Sequence, residues 1–211
     1  MGLRKNNQVN IQKMEEGKLD AQFLAAFLGQ KESDEASLQK AVENCTNLIK
    51  DIHTDVEKYK DACAIALTEE DAWRLKAEGK KVFFIGIENG YAIGSDLKNI
   101  KRYKEMGVNY ITLCHSYDNH ICNSSTNTQD ANKGLTAFGR KVVKEMNKQG
   151  VLIDLSHASE GTFWDVMKLS KDPVFASHSG VKALCNSDRN LTDEQLRALA
   201  KNGGVIQICI F

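Results

Sequence analysis

The chain has 211 residues, of which 42% are apolar, 27% are charged and one is a proline. That is enough apolar material for a core without covalent staples, and it excludes a disordered or collagen-like chain. Lys and Arg number 28 against 28 Asp and Glu, so no net field recommends nucleic acid or an anionic bilayer as a partner. The longest apolar stretch, residues 82–87, is too short to cross a bilayer, and the opening run MGLRKNNQVN lacks the apolar centre of a signal peptide. The six cysteines have no C-x-x-C spacing and read as mostly buried thiols.

Taken in chain order, residues 21–28 (AQFLAAFL) read as a first strand. From Leu38 to Tyr59, apolar residues recur at steps of three and four, the single buried stripe of an amphipathic helix. Thr68 followed by Glu69, Glu70 and Asp71 places acceptors where a helix start needs them, and Gly79 stops that helix. The text then alternates. Strands are predicted at 81–89, 109–115, 151–157, 173–178 and 205–211, separated by helices at 95–106, 136–149, 161–169 and 192–201. Thr192 with Gln195 fits a capping box, and Gly203-Gly204 closes that last helix.

Near-continuously apolar strands separated by helices imply a parallel sheet covered on its faces, because parallel neighbours need a crossover that returns the chain. The class is α/β. About six strand–helix units fit a TIM-barrel-type (β/α)8 fold, which has eight, so residues 1–211 read as a single partial barrel lacking the first and last strands. An open arc leaves two unpaired edges that invite association, and a homodimer is among the expected partners.

The chemistry is expected at one end of that sheet. Glu88, His115, His157 and His178 each close a predicted strand, and in a barrel all strand C-termini converge on one face. Taken singly, a histidine after a strand is more often structural than a ligand. Four metal-capable groups in register point to a metal site, and imidazole nitrogen with carboxylate oxygen suits zinc. Asp154, three residues before His157, is a candidate acceptor for orienting it, although strand alternation aims it elsewhere. His53 on the long helix and His120 in the polar loop read as structural, and the Asn123-Ser124-Ser125 triplet reads as loop.

The runs GIENG (86–90), ITLCHS (111–116), LIDLSHAS (152–159), FASHS (175–179), Asp188-Arg189-Asn190-Leu191 and NGGVIQIC resemble the membrane (renal) dipeptidase family of zinc dipeptidases. The resemblance implies an amidohydrolase-type barrel with two zinc ions (Zn2+) per complete active site and dipeptides as substrates. It implies that Glu88 bridges both ions, that His157 and His178 ligate the second, that His115 contacts the substrate carbonyl or the oxyanion, and that Arg189 holds the dipeptide carboxylate. These residue types suit such roles. Two cations lower the pKa of a shared water and polarise the scissile carbonyl, and a guanidinium is a rigid two-pronged donor for a carboxylate.

The chain departs from the family in one respect. The His-x-Asp pair expected on the first barrel strand and the Asp expected on the last are carried by no strand here. The expectation is therefore a segment of a longer dipeptidase that alone binds metal weakly and turns over little. The alternatives are another metal-dependent amidohydrolase on the same barrel, or a degenerate, non-catalytic barrel.

Overall fold

Successive side chains of a strand point to opposite faces, and here that alternation separates a helix-covered outer layer from an inner trough. The computed structural model describes residues 8–30, 32–126 and 133–209. The chain opens with α1 (Ile11–Glu16), β1 (Ala21–Phe27), α2 (Glu35–Glu57) and β2 (Cys63–Ile65). It continues with α3 (Glu69–Ala77), β3 (Lys81–Glu88), a 3-10 turn at Gly90–Ile93, α4 (Lys98–Glu105) and β4 (Val108–Thr112). Then follow α5 (Ala137–Gln149), β5 (Leu152–Asp154), α6 (Glu160–Leu169), β6 (Phe175–Ser179), α7 (Asp193–Lys201) and β7 (Val205–Ile208). Among the described residues, no helix is long and apolar enough to cross a membrane.

All strand pairs are parallel, in the order β1-β3-β4-β5-β6-β7, with β2 set against the start of β3 through Cys63↔Lys81 to Ile65↔Phe83. The sheet curls into a half-barrel. Phe23 on β1 and Phe175 on β6 meet across it with ring centroids 6.2 Å apart, and Tyr110 stands edge-on to both. On the outer side Ala26, Ile85, Ile87, Ile111, Ile153 and Ala176 are fully buried in one core with the helices. Each large aliphatic chain there contributes roughly 1.5–3 kcal/mol by leaving water.

The helix starts follow local chemistry. Asp34, Thr68, Thr136, Ser159 and Thr192 each accept a backbone N–H of the first turn, and Thr192 with Gln195 forms the expected reciprocal box. Gly150 ends α5 in the left-handed region that a Cβ disfavours.

The structure corrects the sequence reading in three places. Strand β2 and helix α1 are additional, each too short to show a period. Strands β4 and β5 end at Thr112 and Asp154, so His115 and His157 lie three residues past their strands instead of closing them. The ladder extends only through Leu113 N–H to Asp154 and Leu155 N–H to Phe175 before the chain turns, with His157 at φ +68°. The final strand spans Val205–Ile208, and residues 210–211 of the predicted one lie outside the described residues.

Candidate metal centre

The inner face of the trough is layered. At its base sit Phe23, Phe84, Tyr110 and Phe175. Next toward the strand C-termini comes a polar tier of Thr112, Asp154 and Ser177, joined by hydrogen bonds. At the mouth stand Glu88 and three histidines. A cleft of about 610 Å³ runs along this inner face, lined by Phe23, Phe84, Tyr110, Ser177, His178 and Glu88.

Glu88 reaches the mouth by alternation. Phe84, Gly86 and Glu88 share one face of β3, while Phe83, Ile85 and Ile87 pack outward. His178 reaches it by an irregularity, because the pairing of β6 with β7 shifts register between Ala176 and Ser179, and Ser177 and His178 both line the cleft. His157 is held by its left-handed backbone, a strained state for a non-glycine residue. Asn89, directly after Glu88, has φ +86° and its side chain accepts the Tyr91 N–H and donates to the Leu28 carbonyl.

The four predicted groups come together. Glu88 Oε1 lies 3.3 Å from His178 Nε2, 3.4 Å from His157 Nε2 and 3.6 Å from His115 Nε2. The Nε2 atoms of His157 and His178 are 2.9 Å apart. The rings of His115 and His157 stack with centroids 4.1 Å apart, and Phe27 flanks His115 at 4.9 Å. Ligand atoms of Glu88, His115 and His157 all fall within 4.8 Å of one another.

The imidazoles of His157 and His178 against it hold the Glu88 carboxyl far below the usual carboxylate range. Burial pushes His157 down to about 4 and lowers His115. An ionised carboxylate with neutral imidazoles is the protonation state that ligates a cation. Three ring nitrogens and a carboxylate oxygen crowding one volume direct lone pairs at each other, which is unfavourable unless a proton or a cation stands between them. The donor set fits a divalent transition ion.

Arg189 lies behind this cluster. Its Nη2 donates to the His178 carbonyl at 3.0 Å, and its Nη1 is buried without a hydrogen-bond partner. A small cavity of about 70 Å³ is lined by Arg189, His157, Ser125, Lys182 and Asp188, and Ser125 Oγ and His157 Nδ1 are likewise unpartnered.

The other titratable candidates are structural. His120 Nε2 bonds the Gly94 carbonyl and its ring packs on Tyr91 and Phe138. His53 Nε2 bonds the Met106 carbonyl at 2.8 Å. His53-Thr54-Asp55 is a His-x-Asp run, but it lies within α2, and Asp55 there pairs with Lys58 at 2.6 Å.

Asp154 makes none of its hydrogen bonds to His157. It accepts instead from Thr112 Oγ1, Ser156 N, Ser177 N and Ser177 Oγ. The sequence reading passed over Thr112, Ser156 and Ser177. Their signal was an acid in an apolar strand, which when buried requires donors from its neighbours.

The sequence matches the family described as membrane dipeptidase (Peptidase family M19) over residues 2–211. The chain belongs to the membrane dipeptidase family. Dipeptidase ataJ of Aspergillus terreus is 32% identical to it over 96% of this chain and 55% of its own length. Human Dipeptidase 3 is 31% identical over 97% of this chain and 41% of its own. The chain thus spans about half the length of these dipeptidase relatives. The probable dipeptidase PvdM from Pseudomonas aeruginosa superimposes with a TM-score of 0.86 at 28% identity, covering 95% of this chain and 53% of that one. A metallo peptidase from Rhodobacter sphaeroides, solved with a phosphinate mimic of the dipeptide L-Ala-D-Ala, shares the fold at a TM-score of 0.88 and 22% identity, over 99% and 66% of the two chains.

Proposed function

We propose that this protein is a zinc-dependent dipeptidase, and that the 211 residues contribute one part of a two-zinc centre. The observation that carries this is the convergence of Glu88 Oε1 with three imidazole Nε2 atoms within 3.6 Å, at the mouth of a half-barrel in a chain of the membrane dipeptidase family. Glu88, His157 and His178 would hold the zinc. Bound zinc would supply a water acidified toward neutral pH and a polarised scissile carbonyl.

The side chains do the rest. His115, partly exposed beside Glu88, donates to the carbonyl oxygen of the substrate as negative charge develops there. Arg189 offers its unpartnered Nη1 to the substrate carboxylate while Nη2 stays on the His178 carbonyl. The aromatic floor of Phe23, Phe84, Tyr110 and Phe175 gives the cleft an apolar base. Three ligand residues are too few for two ions, so the remaining ligands would come from sequence beyond these residues, and the 211-residue chain alone turns over little.

The test compares the 211-residue chain with the same chain carrying its flanking gene sequence, assayed on a panel of unmodified dipeptides before and after chelation and zinc return. The longer protein is expected to hydrolyse dipeptides, to lose that activity to the chelator and regain it with zinc, and to lose it in Glu88→Gln. Chelator-resistant activity, or none on any dipeptide, overturns the dipeptidase reading in favour of another amidohydrolase or a non-catalytic barrel. Comparable turnover by the short chain overturns the shared-centre reading.

A further inference from the structure

We infer that Asp154, acting through Ser177, fixes the tautomer of His178 so that its Nε2 faces Glu88 as a bare lone pair. This makes Asp154 and Ser177 positioning residues for the metal site, and it rests on the function proposed above. Asp154 is fully buried and its four acceptor positions are all taken. Oδ1 accepts from the backbone N–H groups of Ser156 at 3.0 Å and Ser177 at 2.8 Å. Oδ2 accepts from the hydroxyls of Thr112 and Ser177, each at 2.6 Å.

Proton counting settles the rest. A carboxylate is an acceptor only, and a serine hydroxyl has one proton. At 2.6 Å from Asp154 Oδ2 that proton is spent on the carboxylate, so toward His178 the Ser177 oxygen can only accept. His178 Nδ1 lies 2.7 Å from it and must therefore carry the ring hydrogen. Ser156 is consistent with this order. Its oxygen accepts the His178 backbone N–H at 2.9 Å, which leaves its own hydroxyl proton free to point at Ser177 Oγ, 3.4 Å away.

The contact between the two histidines supports the same assignment. Two Nε2 atoms 2.9 Å apart can share only one proton, and with His178 protonated on Nδ1 that proton belongs to His157. His157 has no such anchor, because its Nδ1 is buried without a partner. The two ligands are thus prepared unequally, His178 preset to bind and His157 free to move its hydrogen between nitrogens.

An isosteric substitution reverses the chain. In Asp154→Asn the amide oxygen can keep both backbone N–H groups, and the amide nitrogen then donates toward Thr112 and Ser177. The Ser177 proton would turn to His178 Nδ1 and force the hydrogen onto Nε2, where it blocks ligation.

The experiment reads imidazole nitrogen shifts by long-range proton–nitrogen NMR on the metal-free protein, and zinc affinity by competition with a chromophoric chelator. Wild type is expected to show His178 protonated on Nδ1, and Asp154→Asn on Nε2. Zinc affinity should fall about tenfold or more in Asp154→Asn and Ser177→Ala, and return toward wild type in Ser177→Thr, which keeps a hydroxyl. A wild-type His178 protonated on Nε2, or unchanged zinc affinity in folded Asp154→Asn and Ser177→Ala, overturns the relay. Failure of wild type to bind zinc at all would defeat the metal reading, while the tautomer measurement would still decide the relay.

Discussion

Tyr110 occupies the space that a side chain on Gly86 would need. The two residues are register partners on β3 and β4, and a Cβ built on Gly86 would clash with the Cε1 and Cζ atoms of the Tyr110 ring. The ring cannot withdraw freely, because Phe23 and Phe175 bracket it with centroids 5.1 and 5.2 Å away. Gly86→Ala should therefore destabilise the fold by about 1–3 kcal/mol, the usual cost of overpacking. Urea unfolding measures this, and Gly86→Ala combined with Tyr110→Leu should recover part of the loss. A Gly86→Ala chain as stable as wild type would mean that the aromatic base of the trough is loose.

Asp154 should matter for stability as well as for orientation. Asp154→Ala leaves two buried backbone N–H groups and two hydroxyls without their acceptor. Each unsatisfied buried group costs about 1–3 kcal/mol. The variant should lose about 3 kcal/mol or more by denaturant unfolding, and Asp154→Asn, which keeps the shape and one acceptor oxygen, clearly less. Equal losses for the two would assign the effect to the negative charge and the Oδ2 acceptor, which both variants remove.

Much of this was legible in the sequence because local chemistry and tertiary demand agree. The apolar runs of β3 and β4 are buried outward against helices, as parallel strands require, and Thr192 with Gln195 forms the box that its spelling suggests. Glu88, His115, His157 and His178 do converge. What the sequence could not yield were features set by partners distant in the chain. The ends of β4 and β5 depend on when a neighbouring strand stops pairing, so His115 and His157 were placed on strands they in fact follow. Strand β2 is three residues long and exists because β3 offers an edge. Asp154 was considered as a partner for His157, three residues on, but alternation turned it inward to Ser177, 23 positions away.

Alkaline pH should weaken the fold. Burial pushes the Cys45 thiol up to about 12, and raises the neighbouring Tyr103 hydroxyl, which donates to the Ala92 carbonyl at 2.7 Å. The unfolded thiol releases its proton near 9.0, so between there and about 12 the folded state holds a proton that the unfolded state has lost. Stability is full below that window and falls as pH rises through it, by at most about 1.4 kcal/mol per pH unit for each such group. Thermal melting followed from pH 8 to 11 should show a falling midpoint, less steep in Cys45→Ala. In the native protein at pH 8, iodoacetamide should modify the exposed Cys185 and spare the buried Cys45 and Cys114. Rapid labelling of Cys45 would show that the α2 face opens.

Arg189 gives the proposed substrate its sharpest test. One of its two terminal nitrogens is committed to the His178 carbonyl and the other is buried without a partner, an arrangement suited to a ligand oxygen. A lysine can reach toward one acceptor but cannot fork to two. Arg189→Lys should then raise KM for an unmodified dipeptide by about tenfold or more, equivalent to about 1.4 kcal/mol of lost binding. The corresponding dipeptide amide, which has no terminal carboxylate to lose, should change little. The ratio of the two KM effects separates recognition from support. If both substrates suffer equally, Arg189 serves to hold the His178 backbone in place, and the carboxylate of the dipeptide is bound by another group.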